Sequence, residues 1–105
     1  METIYQKEDK SLILKITEEL DHHTVEKIRR KADYEIEKYI PRRVVLDFDG
    51  VSFMDSAGIG LILGRYKNIS ILGGKLEVVN VSTQVIKILN MSGLSKIIEI
   101  KEECA

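Results

Sequence analysis

Asp47, Asp49, Asp55 and Ser56 fall within one short stretch, VVLDFDGVSFMDSAGIG, running from Val44 to Gly60. Two chemistries fit these residue types. An aspartate that ends an apolar strand, with a second one two residues on, is a pattern in which one carboxylate attacks phosphorus and the other moves the proton. A serine that opens a glycine-bearing helix offers instead a hydroxyl that another protein can modify. The first makes the chain an enzyme; the second makes it a substrate.

Both depend on the elements that hold the stretch in place. Arg43 to Phe48 is a dense apolar run, as expected of a strand buried on both faces of a parallel sheet. A helix is expected from about Ser56 to Ile69, stopped by Gly73-Gly74. Upstream, Ile4-Tyr5 and the alternating Leu12 to Ile16 flank the polar segment Lys7 to Ser11, which predicts an antiparallel hairpin. Asp21 is placed as the N-cap of a helix whose apolar positions Val25, Ile28, Ala32, Ile36 and Tyr39 recur every three or four residues and which must end before Pro41. Leu76 to Val79 predicts a further buried strand. Ser82 caps a third helix carrying Val85, Ile86, Leu89 and Met91, and Ile97 to Ile100 is a last strand. Strands alternating with helices imply an α/β domain spanning residues 1–105, with a mixed, mostly parallel sheet, an antiparallel N-terminal hairpin and helices packed against the sheet.

Length and charge exclude several functions. At 105 residues the chain has room for one core and no second lobe. Sixteen basic and seventeen acidic residues leave a formal charge of −1, and no segment gathers a basic stripe that could follow a phosphate backbone, so direct nucleic-acid binding is not expected. The only cysteine, Cys104, cannot form an internal disulfide, which suits a reducing compartment. METIYQKEDK lacks the apolar centre of a signal peptide and no window is apolar enough for a membrane span, so a soluble cytoplasmic protein is expected.

The enzyme reading meets its difficulty in the rest of the chain. Val44 to Gly50 resembles the opening motif of haloacid-dehalogenase-type phosphatases, but that chemistry needs a late acidic pair to complete a magnesium site. After Asp55 there is no aspartate, and Glu77, Glu99, Glu102 and Glu103 are scattered. Asp47 and Asp49 then read as a polar strand end. Gly58, Gly60 and Gly64 form a loose phosphate-binding fingerprint whose spacing departs from the common form; glycines that let the helix approach a neighbour explain them as well. His22 and His23 are adjacent, point about 100° apart on a helix and cannot chelate one ion, which leaves them as surface residues of the first turn. No catalytic residue, metal site or cofactor is assigned.

Ser56 has a structural reading as a helix N-cap, worth about 1 kcal/mol. It also has a functional one. Ala57, Gly58 and Gly60 leave the first turn nearly free of side chains, and Ile59, Leu61, Ile62 and Leu63 make an apolar band too wide for one core-facing stripe. An uncluttered, partly apolar surface around a serine suits a docking protein.

EELDHHT (Glu18 to Thr24), FMDSAGIGLILGRYK (Phe53 to Lys67), GGKLEVVNVS (Gly73 to Ser82) and NMSGLSKII (Asn90 to Ile98) together resemble the anti-sigma factor antagonists of the STAS fold family, most closely the sporulation sigma-F type. The resemblance implies a protein that binds an anti-sigma factor serine kinase, releases the sigma factor, and is switched off when that kinase phosphorylates Ser56. A metal-dependent serine phosphatase would restore it. By the same resemblance Asp21, Asp55, Ser56, Ala57, Gly58 and Gly60 form the partner-binding surface, and the free protein is expected to be a monomer without cofactor. Three other readings stand beside it: a stress-response antagonist of the sigma-B type, a STAS module of a transporter, and a small nucleotide- or phosphate-binding protein.

Overall fold

The computed structural model describes residues 1–103; Cys104 lies outside the described residues. Five strands form one sheet in sequential order: β1 (Glu2–Gln6), β2 (Ser11–Lys15), β3 (Arg43–Asp47), β4 (Lys75–Val79) and β5 (Glu99–Ile100). β1 and β2 pair antiparallel and every other neighbouring pair is parallel. Three helices make the crossovers, α1 (Val25–Tyr39), α2 (Ser56–Ile71) and α3 (Thr83–Ser92). Each parallel crossover steps to the next strand in the same direction, so right-handed connections set all three helices on one face of the sheet.

Strand alternation decides which residues meet them. The register places Leu14, Leu46 and Val78 in one row and Leu12, Val44 and Leu76 in the next. These rows join Ile28, Ala32 and Ile36 of α1, Leu61, Ile62 and Ile69 of α2, and Val85 and Leu89 of α3 in a single buried cluster. Each of the larger aliphatic side chains contributes about 1.5–3 kcal/mol when fully buried. On the opposite face the row Ile4, Ile13, Val45, Glu77 and Glu99 has no helix over it among the described residues. Glu77 is buried there, and Arg43 and Lys101 supply its countercharge.

Several boundaries differ from the sequence expectation. The regular part of α1 begins after Thr24, because Asp21 caps a separate turn: its Oδ1 accepts from the backbone N–H of His23 and of Thr24 at 2.9 and 3.1 Å. Ser56 is the first residue of α2 and Asp55 is its cap, accepting from the Ala57 N–H at 2.8 Å. The last strand shrinks to Glu99–Ile100 because Leu94–Lys96 forms a 3-10 turn after Gly93, whose φ of 82° ends α3. Met91 points outward at 89 % exposure, on the face of α3 opposite Val85 and Leu89. Ser82 caps α3 as expected, accepting from the Val85 N–H at 3.2 Å.

α2 is apolar on most sides, and its one deeply buried charge fixes how it meets α1. Arg65 is 6 % exposed and its Nε lies 2.8 Å from Asp33 Oδ1. The N–H does not point along that line, so the contact is an ion pair and not an aligned hydrogen bond, and Arg65 Nη1 has no partner among the described residues. Burial pushes the Arg65 pKa below its ordinary value while Asp33 pulls it up. Asp33 also pairs with Arg29 at 3.3 Å. Removing the acid therefore strands a buried cation, whereas removing the buried cation leaves the acid paired. Asp33→Ala is expected to cost about 3 kcal/mol and Arg65→Met about 1 kcal/mol or less in denaturant unfolding. Equal losses would contradict this assignment.

Candidate functional site

The site is assembled at the carboxyl ends of β2 and β3, where two loops 33 residues apart in sequence are laced together. The Leu20 N–H donates to the Phe53 carbonyl at 3.4 Å and the Asp55 N–H donates to the Leu20 carbonyl at 3.1 Å, forming a parallel bridge between Leu20 and Met54. Both side chains are buried, at 0 and 1 % exposure. Glu19 clamps the outer side: its carboxylate accepts from the Ser52 N–H at 2.9 Å and from the Ser52 hydroxyl at 2.6 Å. Gly50 lets the second loop leave β3, since a Cβ there would sit 2.8 Å from the Ile16 carbonyl oxygen.

Lacing brings the DHHT turn alongside the start of α2. His22 Nδ1 lies 3.6 Å from Asp55 Oδ2, while Asp55 Oδ1 caps the helix. Ser56 is exposed, and with Asp55 as cap its hydroxyl is not committed to the helix. Ala57 is half-buried. The glycines divide in role. Gly58 is buried, and a Cβ on it would lie 3.0 Å from the Met54 side chain and 3.1 Å from Leu20. Gly60 is exposed with open space where its Cβ would be, and so is the position of a Cβ on Gly64. Of the three glycines of α2, close approach inside the fold thus explains Gly58 alone. Phe53 adds an aromatic ring at 46 % exposure two residues before the cap.

Electrostatics at the site are acidic and hydrogen-bonded. The two hydrogen bonds from Ser52 hold the Glu19 pKa below the ordinary carboxylate value. For Asp21, burial works to raise the pKa, and the backbone N–H groups of His23 and Thr24 with the Thr24 hydroxyl outweigh it, so the net direction is down. Asp47, the proposed nucleophile of the enzyme reading, is a strand-end cap: its Oδ1 accepts from the Asp49 N–H at 3.0 Å and from the Asn80 side chain at 2.9 Å. Among the described residues no three His, Cys, Asp or Glu side chains are grouped so as to hold a metal ion. None of the described helices is long and apolar enough to cross a membrane.

The Leu20–Met54 bridge therefore sets the turn that holds Asp21 alongside the start of α2, which carries Asp55, Ser56, Ala57, Gly58 and Gly60. The Glu19–Ser52 clamp and the His22–Asp55 contact were not foreseen; both are pairings across 33 residues that no local pattern marks.

The chain is similar in sequence and fold to known proteins. The STAS domain model matches residues 3–105. The "Anti-sigma F factor antagonist" of Paenibacillus polymyxa is 44 % identical over 89 residues, covering 85 % of this chain and 76 % of the relative. The "Anti-sigma-B factor antagonist" of Listeria monocytogenes is 32 % identical over 84 residues, covering 79 % and 72 %. Among solved structures, the anti-sigma factor antagonist SpoIIAA in its unphosphorylated form is similar with a TM-score of 0.79 and 31 % identity, over 94 % of this chain and 85 % of that one. The phosphorylated form, described as a Bacillus cell fate determinant, is similar with a TM-score of 0.70 and 30 % identity, over 94 % and 88 %. The chain belongs to the STAS domain family, and the relatives named above are anti-sigma factor antagonists.

The lowered pKa values of Glu19 and Asp21 give the lacing a pH dependence of defined sign. A carboxylate depressed in the folded state stabilises it above the unfolded pKa, about 4, and that contribution is lost as pH falls through the folded value. Glu19→Gln is expected to flatten the fall in stability below about pH 4. Parallel acid limbs for wild type and variant, measured by thermal unfolding between pH 2 and pH 6 (about the span of these titrations), would count against the clamp.

Proposed function

We propose that this protein is an anti-sigma factor antagonist of the sigma-F type whose unphosphorylated form binds an anti-sigma factor serine kinase, and that phosphorylation of Ser56 ends the binding. One observation carries this reading: Ser56 presents an exposed hydroxyl, not used as the cap, on a first helical turn that Ala57 and Gly60 leave open to an approaching surface. The higher identity to the sigma-F than to the sigma-B relative, 44 % against 32 %, supports the sigma-F assignment.

Energetics favour a switch of binding over a switch of fold. A phosphoserine adds about −1.5 to −2 charges beside Asp55. The N-terminus of α2 offsets about 0.3–1 kcal/mol of that, whereas like charges forced together across an interface cost several kcal/mol. Several kcal/mol is about a hundredfold or more in affinity. That the chain resembles SpoIIAA in both its unphosphorylated and its phosphorylated form supports a fold that accommodates either state.

In this scheme the kinase supplies ATP, magnesium and the base for in-line transfer, and this chain supplies a positioned hydroxyl. It acts as a substrate and a ligand, in the cytoplasm. One Asp21 carboxylate oxygen holds the turn, leaving the other for a cation of the partner. A separate serine phosphatase returns the active form.

Intact-mass analysis of wild type and Ser56→Ala after incubation with the anti-sigma kinase and Mg-ATP tests the assignment. One phosphoryl group on wild type and none on the variant is expected. If neither gains mass while the same kinase modifies a control antagonist, the assignment is wrong. Gly60→Ala separates docking from folding. It is expected to stabilise α2 by about 1 kcal/mol, because alanine is the better helix former, and to weaken kinase binding, because the new methyl stands on the docking face. Undiminished affinity would remove Gly60 from that face.

A further inference from the structure

We propose that His22 is the group that senses the phosphate on Ser56, coupling the charge of the phosphorylated state to pH near neutrality. This rests on the reading of Ser56 as the modified residue, and adds to it a residue outside the Asp-Ser-Ala-Gly segment.

The geometry comes from the lacing of the two loops. His22 sits in the turn that Asp21 holds through the backbone N–H groups of His23 and Thr24. That turn is fixed against the start of α2 by the hydrogen bond from the Asp55 N–H to the Leu20 carbonyl. Asp55 divides its carboxylate: Oδ1 caps the helix and Oδ2 faces His22 Nδ1 at 3.6 Å. Among the described residues His22 is the only basic side chain within ion-pair distance of Asp55. Ser56 is the next residue, so a phosphate on it would extend from the same end of α2 that the imidazole faces through Asp55, and His22 at 73 % exposure is not held away by packing.

The charged and titratable groups facing His22 are few. From the α2 side there is Asp55. From its own turn there are Asp21 and His23, whose ring centroid lies 4.0 Å from that of His22. Glu19 is occupied by Ser52.

A phosphoserine loses its second proton near pH 6, within the range over which a histidine side chain can change charge. An imidazolium beside the phosphate favours the dianion and lowers its second pKa; by reciprocity the dianion raises the pKa of His22 by the same amount. The ion pair is therefore present between the lowered phosphate value and the raised histidine value. It is lost on the acid side when the phosphate takes up a proton and on the alkaline side when the imidazole gives one up. Unphosphorylated protein has no such coupling at Ser56.

Phosphoserine placed at position 56 during translation allows a test that does not depend on any kinase. The 31P shift is followed against pH for the phosphorylated wild type, His22→Gln and His23→Gln, with amide spectra to show that each is folded. The expected result is a phosphate pKa in His22→Gln about half a unit above wild type, about threefold in the proton-binding constant, as befits a solvent-screened pair. His23→Gln is expected to keep the wild-type value or fall below it. The His22 ring protons should report a matching rise on phosphorylation. Superimposable phosphate titrations of wild type and His22→Gln would overturn the proposal, as would a rise in His23→Gln alone. A failure of Ser56 to accept phosphate from the kinase shows separately in the mass assay and leaves this titration readable.

Discussion

The parallel bridge between Leu20 and Met54 is the contact on which the rest of the site depends. It continues the β2–β3 pairing past the ends of both strands with two backbone hydrogen bonds and two fully buried side chains. Without it the DHHT turn and the start of α2 would be joined only by exposed polar contacts, the Glu19–Ser52 clamp and the His22–Asp55 pair. With it, the carboxylate of Asp21, the cap Asp55 and the hydroxyl of Ser56 become neighbours on a rigid edge. Gly58 belongs to the same contact: it brings the first turn of α2 down onto Met54 and Leu20, where a Cβ would stand 3.0 and 3.1 Å from their side chains and force them to shift. Burial of apolar groups thus fixes the position of polar ones.

A division of labour among adjacent residues follows. Asp55 takes the capping role that Ser56 would otherwise fill, so the serine hydroxyl is neither buried nor required for the helix. A side chain with no structural duty can be modified at little cost to the fold. The acids around it belong to the turns: Glu19 holds Ser52, Asp21 holds His23 and Thr24, and Asp47 closes the ends of β3 and β4 through Asn80. An added phosphate meets a surface already negative on its near side, with a helix N-terminus and one imidazole to offset it.

Most of this architecture was legible in the chain. The alternation in Leu12 to Ile16, the dense run Val44 to Leu46 and the glycine stop at Gly73 each leave a local mark, and the elements stand where those marks put them. Cap assignments slipped because aspartate and serine are both good caps; adjacent in Asp55-Ser56, they are told apart only by the backbone angles of Asp55. Asp21 slipped by one turn because Thr24 intervenes before regular helix begins. Ile97 to Ile100 looks like a strand by composition, yet the turn after Gly93 keeps Ile97 and Ile98 out of the ladder. The clamp, the bridge and the buried Arg65–Asp33 pair are long-range contacts without periodicity, so only folding reveals them. The proposal that Ser56 is the modified hydroxyl rests on the motif, since an exposed serine at a helix start is common in folded proteins.

In the proposed mechanism a charge on Ser56 alters recognition and leaves the fold intact. The most direct measurement compares phosphorylated and unphosphorylated protein in two experiments on the same samples: calorimetric titration into the anti-sigma partner, and thermal unfolding. The account predicts a loss of affinity of about a hundredfold or more with unfolding midpoints within a few degrees of each other. Equal affinities would contradict it. So would a phosphorylated protein that binds poorly because it has unfolded.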